Sequence, residues 1–421
     1  MVVPDGACAA SRSSALRVFF TPAHKFLAHR NCHQFWVHSR FRHGSWPRAY
    51  CLRRCLEFVW CSLEPMVLEE NKPLAPFTTF GIGGPARWFA EAASEDDIVE
   101  CAAWARARSL PLFVLGGGSN LLVADAGFNG LVLRVGLRGI AVAEPARDSY
   151  PRIYRVAAGE TWDGFVERAV EDNCAGIECL AGIPGTVGGT PVQNVGAYGQ
   201  EVASVIERVR AFDLQERVFV EFSAAECGFA YRRSRFNSAD RGRYVVTRVD
   251  YRLTYGGAPT LRYAELEQML EPMRQGGREV SLAEVASAVR SIRHSKGMLL
   301  VEGDLDCRSA GSFFKNPVIA EEQLRRIAES SAKQPRRFTA GPEPENRGRV
   351  KVPAAWLIEQ AGFAKGYALG RAAISSRHTL ALVNRGGASA AEILALAGQI
   401  AAAVETRFGI QLEMEPVLLG F

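Results

Sequence analysis

Residues 310–317 place several chemically useful groups within eight positions of the sequence. Ser312 supplies a hydroxyl, two phenylalanines follow it, and Lys315 supplies a cation. Gly311 allows a ligand to approach the backbone closely, because glycine has no side chain. Two adjacent aromatic rings favour burial, so we predict that Ser312 lies at the edge of an apolar pocket and donates a proton there. The alternative is a buried hairpin in which Ser312 only hydrogen-bonds the backbone.

A glycine-rich segment follows a predicted buried strand at 111–115 and offers a loop for an anion. Consecutive glycines let backbone N–H groups converge on a phosphate, and serine and asparagine side chains add donors. The third glycine of a Rossmann fingerprint would fall at Leu121, and the lysine of a Walker loop is missing, so neither motif is present. We predict a pyrophosphate cradle in which a side chain at Gly117 would occupy the volume of the ligand; a plain turn is the alternative. The cradle consists of Gly116, Gly117, Gly118, Ser119 and Asn120.

A second glycine-rich segment begins about 65 residues later. Two such segments suit a long ligand with a charged middle and an aromatic end, and a dinucleotide cofactor has that form. Because the Rossmann fingerprint is absent, a flavin held by a different fold is the better interpretation. The predicted cofactor residues here are Gly182, Ile183, Pro184, Gly185, Gly188, Gly189, Asn194, Ala197, Tyr198 and Gly199.

Charged residues in two further segments are candidates for binding a substrate. Residues 229–236 contain three arginines among aromatic residues, which predicts either a guanidinium presented to an anionic group or a solvated surface strand. Near the C-terminus, alternation in a predicted strand at 412–418 places Glu413 and Glu415 on one face.

Strands and helices alternate irregularly around these segments, which is typical of an α+β protein. Ser94 and Thr161 each precede a predicted helix, as expected of N-caps. The predicted strands are 87–91, 111–115, 131–135, 153–158, 205–212, 217–222, 244–255 and 378–384. The predicted helices begin after Ser94, run to 173 from a cap at Thr161, and cover 281–293, 354–362 and 389–408.

The first 65 residues differ in composition from the rest of the chain. They contain nine basic and three acidic residues, which leaves 41 basic and 42 acidic residues for 66–421 and predicts no nucleic-acid surface. Five of the ten cysteines also lie there, but Cys51 and Cys55 form a single short pair, which does not complete a zinc site. We expect 1–65 to be a disordered extension, or one translated from a start codon upstream of Met66.

The overall composition is that of a globular protein, with 48% hydrophobic and 23% charged residues among 421. No apolar run approaches 18 residues, so no transmembrane helix is expected. The scattered cysteines after residue 65 are typical of a reduced, cytoplasmic protein.

Six motifs in this order resemble the MurB family of UDP-N-acetylenolpyruvoylglucosamine reductases. They lie at 79–81, 115–120, 183–199, 229–232, 310–317 and 412–415, and the resemblance covers nearly all of 68–421 and none of 1–65. It implies an α+β fold with a two-lobed FAD-binding module of the PCMH type and a C-terminal α+β substrate-binding domain. The expected boundaries are 66–137 and 138–297 for the two lobes and 298–421 for the C-terminal domain, whose last strand returns to the active site.

The resemblance also implies an activity. FAD would be bound noncovalently, and NADPH would reduce UDP-GlcNAc-enolpyruvate through it to UDP-N-acetylmuramate, in peptidoglycan synthesis. The enzyme would be a cytoplasmic monomer with this small-molecule substrate and without a nucleic-acid or membrane partner.

By the same resemblance, Arg232 and Glu415 would stabilise the enolate and Ser312 would protonate the carbanion. Lys296 and Lys315 are cations that would make this serine effective. The nucleotide side of the substrate would be lined by Tyr263, Lys296, Asn316 and His378, with the role of His378 left open.

Two alternatives belong to other functional classes. A flavin oxidase of the vanillyl-alcohol type would usually hold FAD covalently through a histidine or cysteine; only two histidines follow residue 65, and no single cysteine stands out. A catalytically inactive flavin-binding protein would not be expected to keep Arg232, Ser312 and Glu415 together.

Overall fold

The computed structural model describes residues 66–143, 151–329, 334–340 and 346–421. The expectations for 1–65 therefore lie outside the described part of the chain. Within that part, helices and strands are mixed in agreement with the predicted α+β class. No helix there is both long and apolar enough to cross a bilayer.

The first sheet carries the first glycine-rich segment at the end of one strand. Its order is β1-β2-β5-β3, with β2 and β3 both parallel to β5. Helix α1 connects β2 to β3; Ser94 and Asp97 form a capping box at its start, and Ile98 and Trp104 are buried. Loop 116–120 follows the carboxyl end of β3, where ligands commonly bind in parallel βαβ units. The bounds are β1 Glu69–Pro73, β2 Pro85–Ala92, α1 Glu95–Ala107, β3 Leu112–Leu115, β4 Leu121–Val123 and β5 Phe128–Val135.

The second sheet is antiparallel and is packed around an aromatic cluster. Its order is β12-β11-β13-β7-β6, and β8 pairs with the end of β13. Trp162 and Phe165 of helix α2 lie against Tyr154 and Tyr251 of the sheet, with ring centroids 5.0 to 5.9 Å apart. The bounds are β6 Ile140–Ala143, β7 Arg152–Ala157, α2 Trp162–Glu171, β8 Cys174–Ala175, β9 Gly196–Ala197, β10 Gln200–Glu201, β11 Ile206–Asp213, β12 Val218–Ser223 and β13 Tyr244–Tyr255.

Thr161 is the N-cap residue of α2, as predicted, but its side chain makes no capping hydrogen bond. Instead the N–H of Trp162 donates to the carbonyl of Gly185 at 3.0 Å. The helix start is thus closed by the second glycine-rich segment, which anchors that segment to the sheet.

Helices α3 (Ala264–Arg274) and α4 (Leu282–Ser295) follow the second sheet and pack against each other. A capping box of Ser281 and Glu284 starts α4, as the sequence predicts, and Val285, Val289 and Ile292 are buried on its inner face.

The C-terminal part is built around helix α7, whose buried residues share one apolar core with Phe313 and Phe314. Its last strand, β20, pairs in parallel with β4, next to the first glycine-rich segment. The predicted strand at 378–384 is shorter, because a turn with a hydrogen bond from the N–H of Ala381 to the carbonyl of His378 precedes it. The bounds are β14 Val318–Ala320, α5 Glu321–Glu329, β15 Phe338–Thr339, β16 Arg349–Lys351, α6 Ala354–Gln360, β17 Ala368–Leu369, β18 Ala372–Ile374, β19 Leu382–Asn384, α7 Ala390–Phe408 and β20 Val417–Leu419.

Candidate active site

A cavity of about 990 Å³ lies where the two glycine-rich segments, residues 310–317 and the C-terminal segment meet. Most of the predicted cofactor residues line it, and so do Arg232, Ser312 and Glu415. The cofactor residues on its wall are Gly116, Gly117, Gly118, Ser119, Asn120, Ile183, Pro184, Gly185, Gly188, Gly189, Ala197 and Tyr198.

Three of the predicted cofactor residues, Gly182, Asn194 and Gly199, do not line this cavity. The N–H of Gly182 donates to Asp163, and its carbonyl accepts from Arg293. The amide of Asn194 donates to Glu201 and Ala230. These contacts give Gly182 and Asn194 structural roles behind the wall.

The two glycine-rich segments touch each other backbone to backbone. A Cβ built on Gly117 would lie 2.5 Å from the Cα of Gly185 and 3.1 Å from the N of Thr186. The expectation that a side chain at Gly117 would enter the volume of the ligand is therefore wrong, because it would first displace the protein's own backbone.

The wall at Gly189 suits a ligand better. A Cβ built there meets no atom within 4 Å, so this backbone borders open space in the cavity. The N–H of Gly189 itself donates to the carbonyl of Thr186 at 3.0 Å, so what this position offers is close approach of a ligand to a backbone without a side chain. The residues present thus fit a dinucleotide whose phosphates lie against the two segments.

Arg232 and Glu415 form an ion pair in the cavity wall. Nε of Arg232 lies 3.1 Å from Oε1 of Glu415, but its N–H does not point at the carboxylate, and this buried nitrogen has no hydrogen bond to the described residues. Nη2 donates to the carbonyl of Gly196 at 2.8 Å. Arg232 has a φ of 54°, a conformation that is uncommon outside glycine and that clusters at functional sites. The guanidinium is therefore held rigidly, with one buried donor still without an acceptor.

The C-terminal segment reaches Ser312 by pairing with the residues that follow it. The N–H of Glu415 donates to the carbonyl of Phe313, and the N–H of Lys315 donates to the carbonyl of Glu413, both at 2.9 Å. The amide of Asn120 also donates to the carbonyl of Glu415 at 3.3 Å. Long-range backbone pairing thus brings the carboxyl of Glu415 to the cavity that Ser312 lines.

Glu413 and Glu415 have different environments, although alternation places them on one face. The Glu413 side chain is 72% exposed and pairs with Lys315, whereas that of Glu415 is 12% exposed. Burial raises the pKa of the Glu415 carboxyl above its ordinary value, and the charges of Arg232 and Lys315 oppose this shift. Glu415 is therefore the carboxyl that is better suited to hold a proton.

Tyr263, Lys296 and His378 lie together on the cavity wall. The Tyr263 ring meets Tyr198 edge to face at 5.1 Å between centroids, and Nζ of Lys296 lies 5.6 Å from the Tyr263 ring. Lys296 also pairs with Glu265 of α3. Burial and the nearby cations lower the pKa of His378 to about 4, so this imidazole is neutral at pH 7.

Asn316 does not line the main cavity. Its Oδ1 accepts from the N–H of Ala354 at 2.9 Å and closes the start of α6. It borders a second cavity of about 530 Å³, which shares Arg232 and Lys315 with the main one. The hydrogen bond that its side chain makes at the start of α6 gives Asn316 a structural role.

Two residues on the cavity wall were missed by sequence reasoning. Gln193 accepts from the amide of Asn120 at 2.5 Å and so joins the two glycine-rich segments. Arg293 lies in the last turn of α4 and is buried. The sequence did offer a signal for Arg293, because it lies one helical turn before Lys296, which was predicted to bind substrate.

The comparisons with known proteins agree with this arrangement. Residues 303–419 match the UDP-N-acetylenolpyruvoylglucosamine reductase C-terminal domain, and residues 86–219 match an FAD binding domain. A UDP-N-acetylenolpyruvoylglucosamine reductase of Thermobifida fusca is 47% identical over 358 residues, covering 83% of this chain and 98% of that protein. That of Streptomyces coelicolor is 44% identical over 367 residues, covering 85% and 92%.

A solved structure shows the same similarity. The crystal structure of UDP-N-acetylenolpyruvylglucosamine reductase (MurB) from Thermus caldophilus aligns with a TM-score of 0.55 at 26% identity, over 84% of this chain and 99% of that one. The predicted α+β fold, with an FAD-binding domain followed by a MurB-type C-terminal domain, is confirmed. The chain belongs to the UDP-N-acetylenolpyruvoylglucosamine reductase family.

Proposed function

We propose that the protein uses NADPH to reduce UDP-GlcNAc-enolpyruvate to UDP-N-acetylmuramate, in peptidoglycan synthesis. The names of the relatives support this substrate, and the FAD-binding domain supports a flavin-dependent reduction. The observation that carries the proposal is the Arg232–Glu415 pair in a cavity that Ser312 also lines. In this proposal the protein is a cytoplasmic monomer, with lobes at 66–137 and 138–297 and a substrate domain at 298–421.

The proposed binding residues divide by the part of the cavity that they line. The backbone of 116–120 and of 183–189 would hold the pyrophosphate of a noncovalently bound FAD. When bound, FAD accepts a hydride from NADPH and delivers it to the double bond of the substrate. Tyr263, Lys296 and His378 would contact the nucleotide side of that substrate, and Lys296 supplies the cation for its diphosphate.

The catalytic residues would act on the charge that hydride addition creates. Hydride addition to the terminal carbon leaves negative charge beside the substrate carboxylate, and the buried Nε of Arg232 is a donor without an acceptor until that charge is present. Glu415, whose pKa is raised, would donate a second hydrogen bond when protonated. Ser312 would transfer its hydroxyl proton to the adjacent carbon and recover a proton from water.

An anaerobic spectrum tests this function directly. Purified protein should show a flavin spectrum that NADPH bleaches and UDP-GlcNAc-enolpyruvate restores. Acid denaturation should release the flavin into solution, as expected for noncovalent binding. A flavin that NADPH reduces, but that oxygen and not the enolpyruvate reoxidises, would refute the reductase and favour an oxidase.

A further inference from the structure

Arg293 is a buried cation that forms no salt bridge with the described residues. The residue is 6% exposed, lies in the last turn of α4 and lines the main cavity. Among the described residues, no carboxylate lies within salt-bridge distance of its guanidinium, whereas Arg290, one turn earlier, pairs with both Asp163 and Glu167. Buried charges in proteins are normally paired, because desolvating an isolated ion is costly.

The contacts that Arg293 does make balance only part of its charge. Nε donates to the carbonyl of Gly182 at 3.0 Å, Nη2 donates to the carbonyl of Met298 at 2.5 Å, and the guanidinium also interacts with the hydroxyl of Tyr198. These carbonyls and the C-terminal end of α4 contribute partial negative charges. Arginine carries five N–H donors, so the geometry leaves donors for a further acceptor.

The surroundings of Arg293 on the cavity wall are also positive. Lys296 lies one turn further along the chain, and the pKa of His378 is lowered by burial first and then by Lys296, Lys365 and Arg293. Two described acids act on this group, and both are already paired: Glu265 with Lys296, and Asp163, whose charge also acts on Arg293, with Arg290. Neither is left as a free counter-charge for Arg293, which a ligand would supply.

We propose that Arg293 binds the diphosphate of a ligand in the main cavity. Two ligands of the proposed function carry this group: the pyrophosphate of FAD and the diphosphate of the nucleotide sugar. The hydrogen bond to Gly182 places Arg293 beside the second glycine-rich segment. Its proximity to Lys296, one turn away, places it beside the residues proposed to contact the nucleotide part of the substrate. The proposal rests on the proposed function for the identity of these ligands, but it concerns binding and not turnover.

The test compares ligands with and without phosphate in Arg293→Gln. Flavin is removed from the full-length protein, and rebinding of FAD and of riboflavin is followed by flavin fluorescence. Binding of UDP and of uridine to the holoenzyme is measured by calorimetry. We expect the affinity for FAD or for UDP to fall at least tenfold, the scale of one hydrogen bond to a charged group, while the matching ligand without phosphate binds as before. A fall in the affinity for FAD would identify the flavin as the source of the diphosphate, and a fall in the affinity for UDP would identify the nucleotide sugar.

Arg290→Gln is the matched control, since it removes the same charge from the same helix but from a paired arginine outside the cavity wall. In this control, the ratio of the affinities for FAD and riboflavin should not change, and neither should the ratio for UDP and uridine. Equal losses for phosphorylated and unphosphorylated ligands in Arg293→Gln, or no loss in the folded variant, would overturn the proposal. Should that variant not fold, Arg293→Met, which also removes the charge but keeps a long side chain, is judged by the same ratios. Absence of enolpyruvate turnover would refute the proposed function and leave these binding results intact.

Discussion

Replacing Ser312 with alanine should slow one half-reaction and leave the other unchanged. Ser312 is half-buried on the wall of the main cavity, outside the packed core, so removing its hydroxyl should change the free energy of unfolding by no more than about 0.5 kcal/mol. A positioned acid contributes about 10²–10⁴-fold to a rate, or about 3–5 kcal/mol of barrier. The lysines that line the same cavity are already paired, Lys296 with Glu265 and Lys315 with Glu413, so neither replaces the hydroxyl without breaking an ion pair.

Stopped-flow spectroscopy of the flavin separates the two steps. Reduction by NADPH should proceed at the wild-type rate in Ser312→Ala, and reoxidation by UDP-GlcNAc-enolpyruvate should be about 100- to 10,000-fold slower. Ser312→Cys should recover part of the rate, because a thiol still donates a proton. If Ser312→Ala slows reduction as much as reoxidation, Ser312 is a structural residue and the buried-hairpin alternative is correct.

The remaining predictions concern four other features. Arg232→Lys should slow reoxidation more than reduction in the same assay, because an ammonium cannot reproduce the planar fork of donors; equal slowing would contradict this. Gly189→Ile should give folded protein with little flavin, because its side chain would enter open space in the cavity. Gly117→Ala should instead lower the melting temperature through overpacking, which costs about 1–3 kcal/mol. Normal flavin content in Gly189→Ile would argue against the cradle. Folding lowers the pKa of His378 from 6.5 to about 4, so the unfolded chain binds a proton there at a higher pH than the folded protein does. The contribution of His378 to the free energy of unfolding should therefore be fully present above pH 6.5 and fall by about 3 kcal/mol towards pH 4. The melting temperature of His378→Gln should depend less on pH in that window. Deleting 1–65 should leave flavin content and turnover unchanged, since 83% of the chain matches 98% of the Thermobifida fusca protein; colourless or insoluble protein would disprove this.

Features that depend on neighbouring residues were predictable from the sequence. The helices predicted after Ser94 and at 281–293 and 389–408 each start at a serine with an acidic residue three positions later, and in the structure each of these serines forms a capping box. Gly409 ends α7 in the left-handed conformation that is common for a glycine after a helix. Such features need no distant partner, because the capping groups are only a few bonds apart.

The placement of the glycine-rich segments was predictable only in part. Their composition indicated a phosphate cradle, and most of their residues line one cavity. That Gly117 faces the backbone of Gly185, whereas Gly189 faces open space, depends on how two segments about 65 residues apart pack. The same packing provides the carbonyl of Gly185 as acceptor for the first N–H of α2, whereas the side chain of the predicted cap Thr161 makes no capping bond.

The sequence by itself determined which chemical groups are present and, through the order of its motifs, the family to which they belong. Only the tertiary structure decided their environments. Glu413 and Glu415 alternate identically in sequence, yet pairing with 313–315 leaves one exposed and buries the other beside Arg232. Arg293 is one of 50 basic residues until folding removes it from water without a carboxylate partner among the described residues. Desolvation and ion pairing depend on atoms brought together from distant parts of the chain, and for that reason they cannot be read from local sequence.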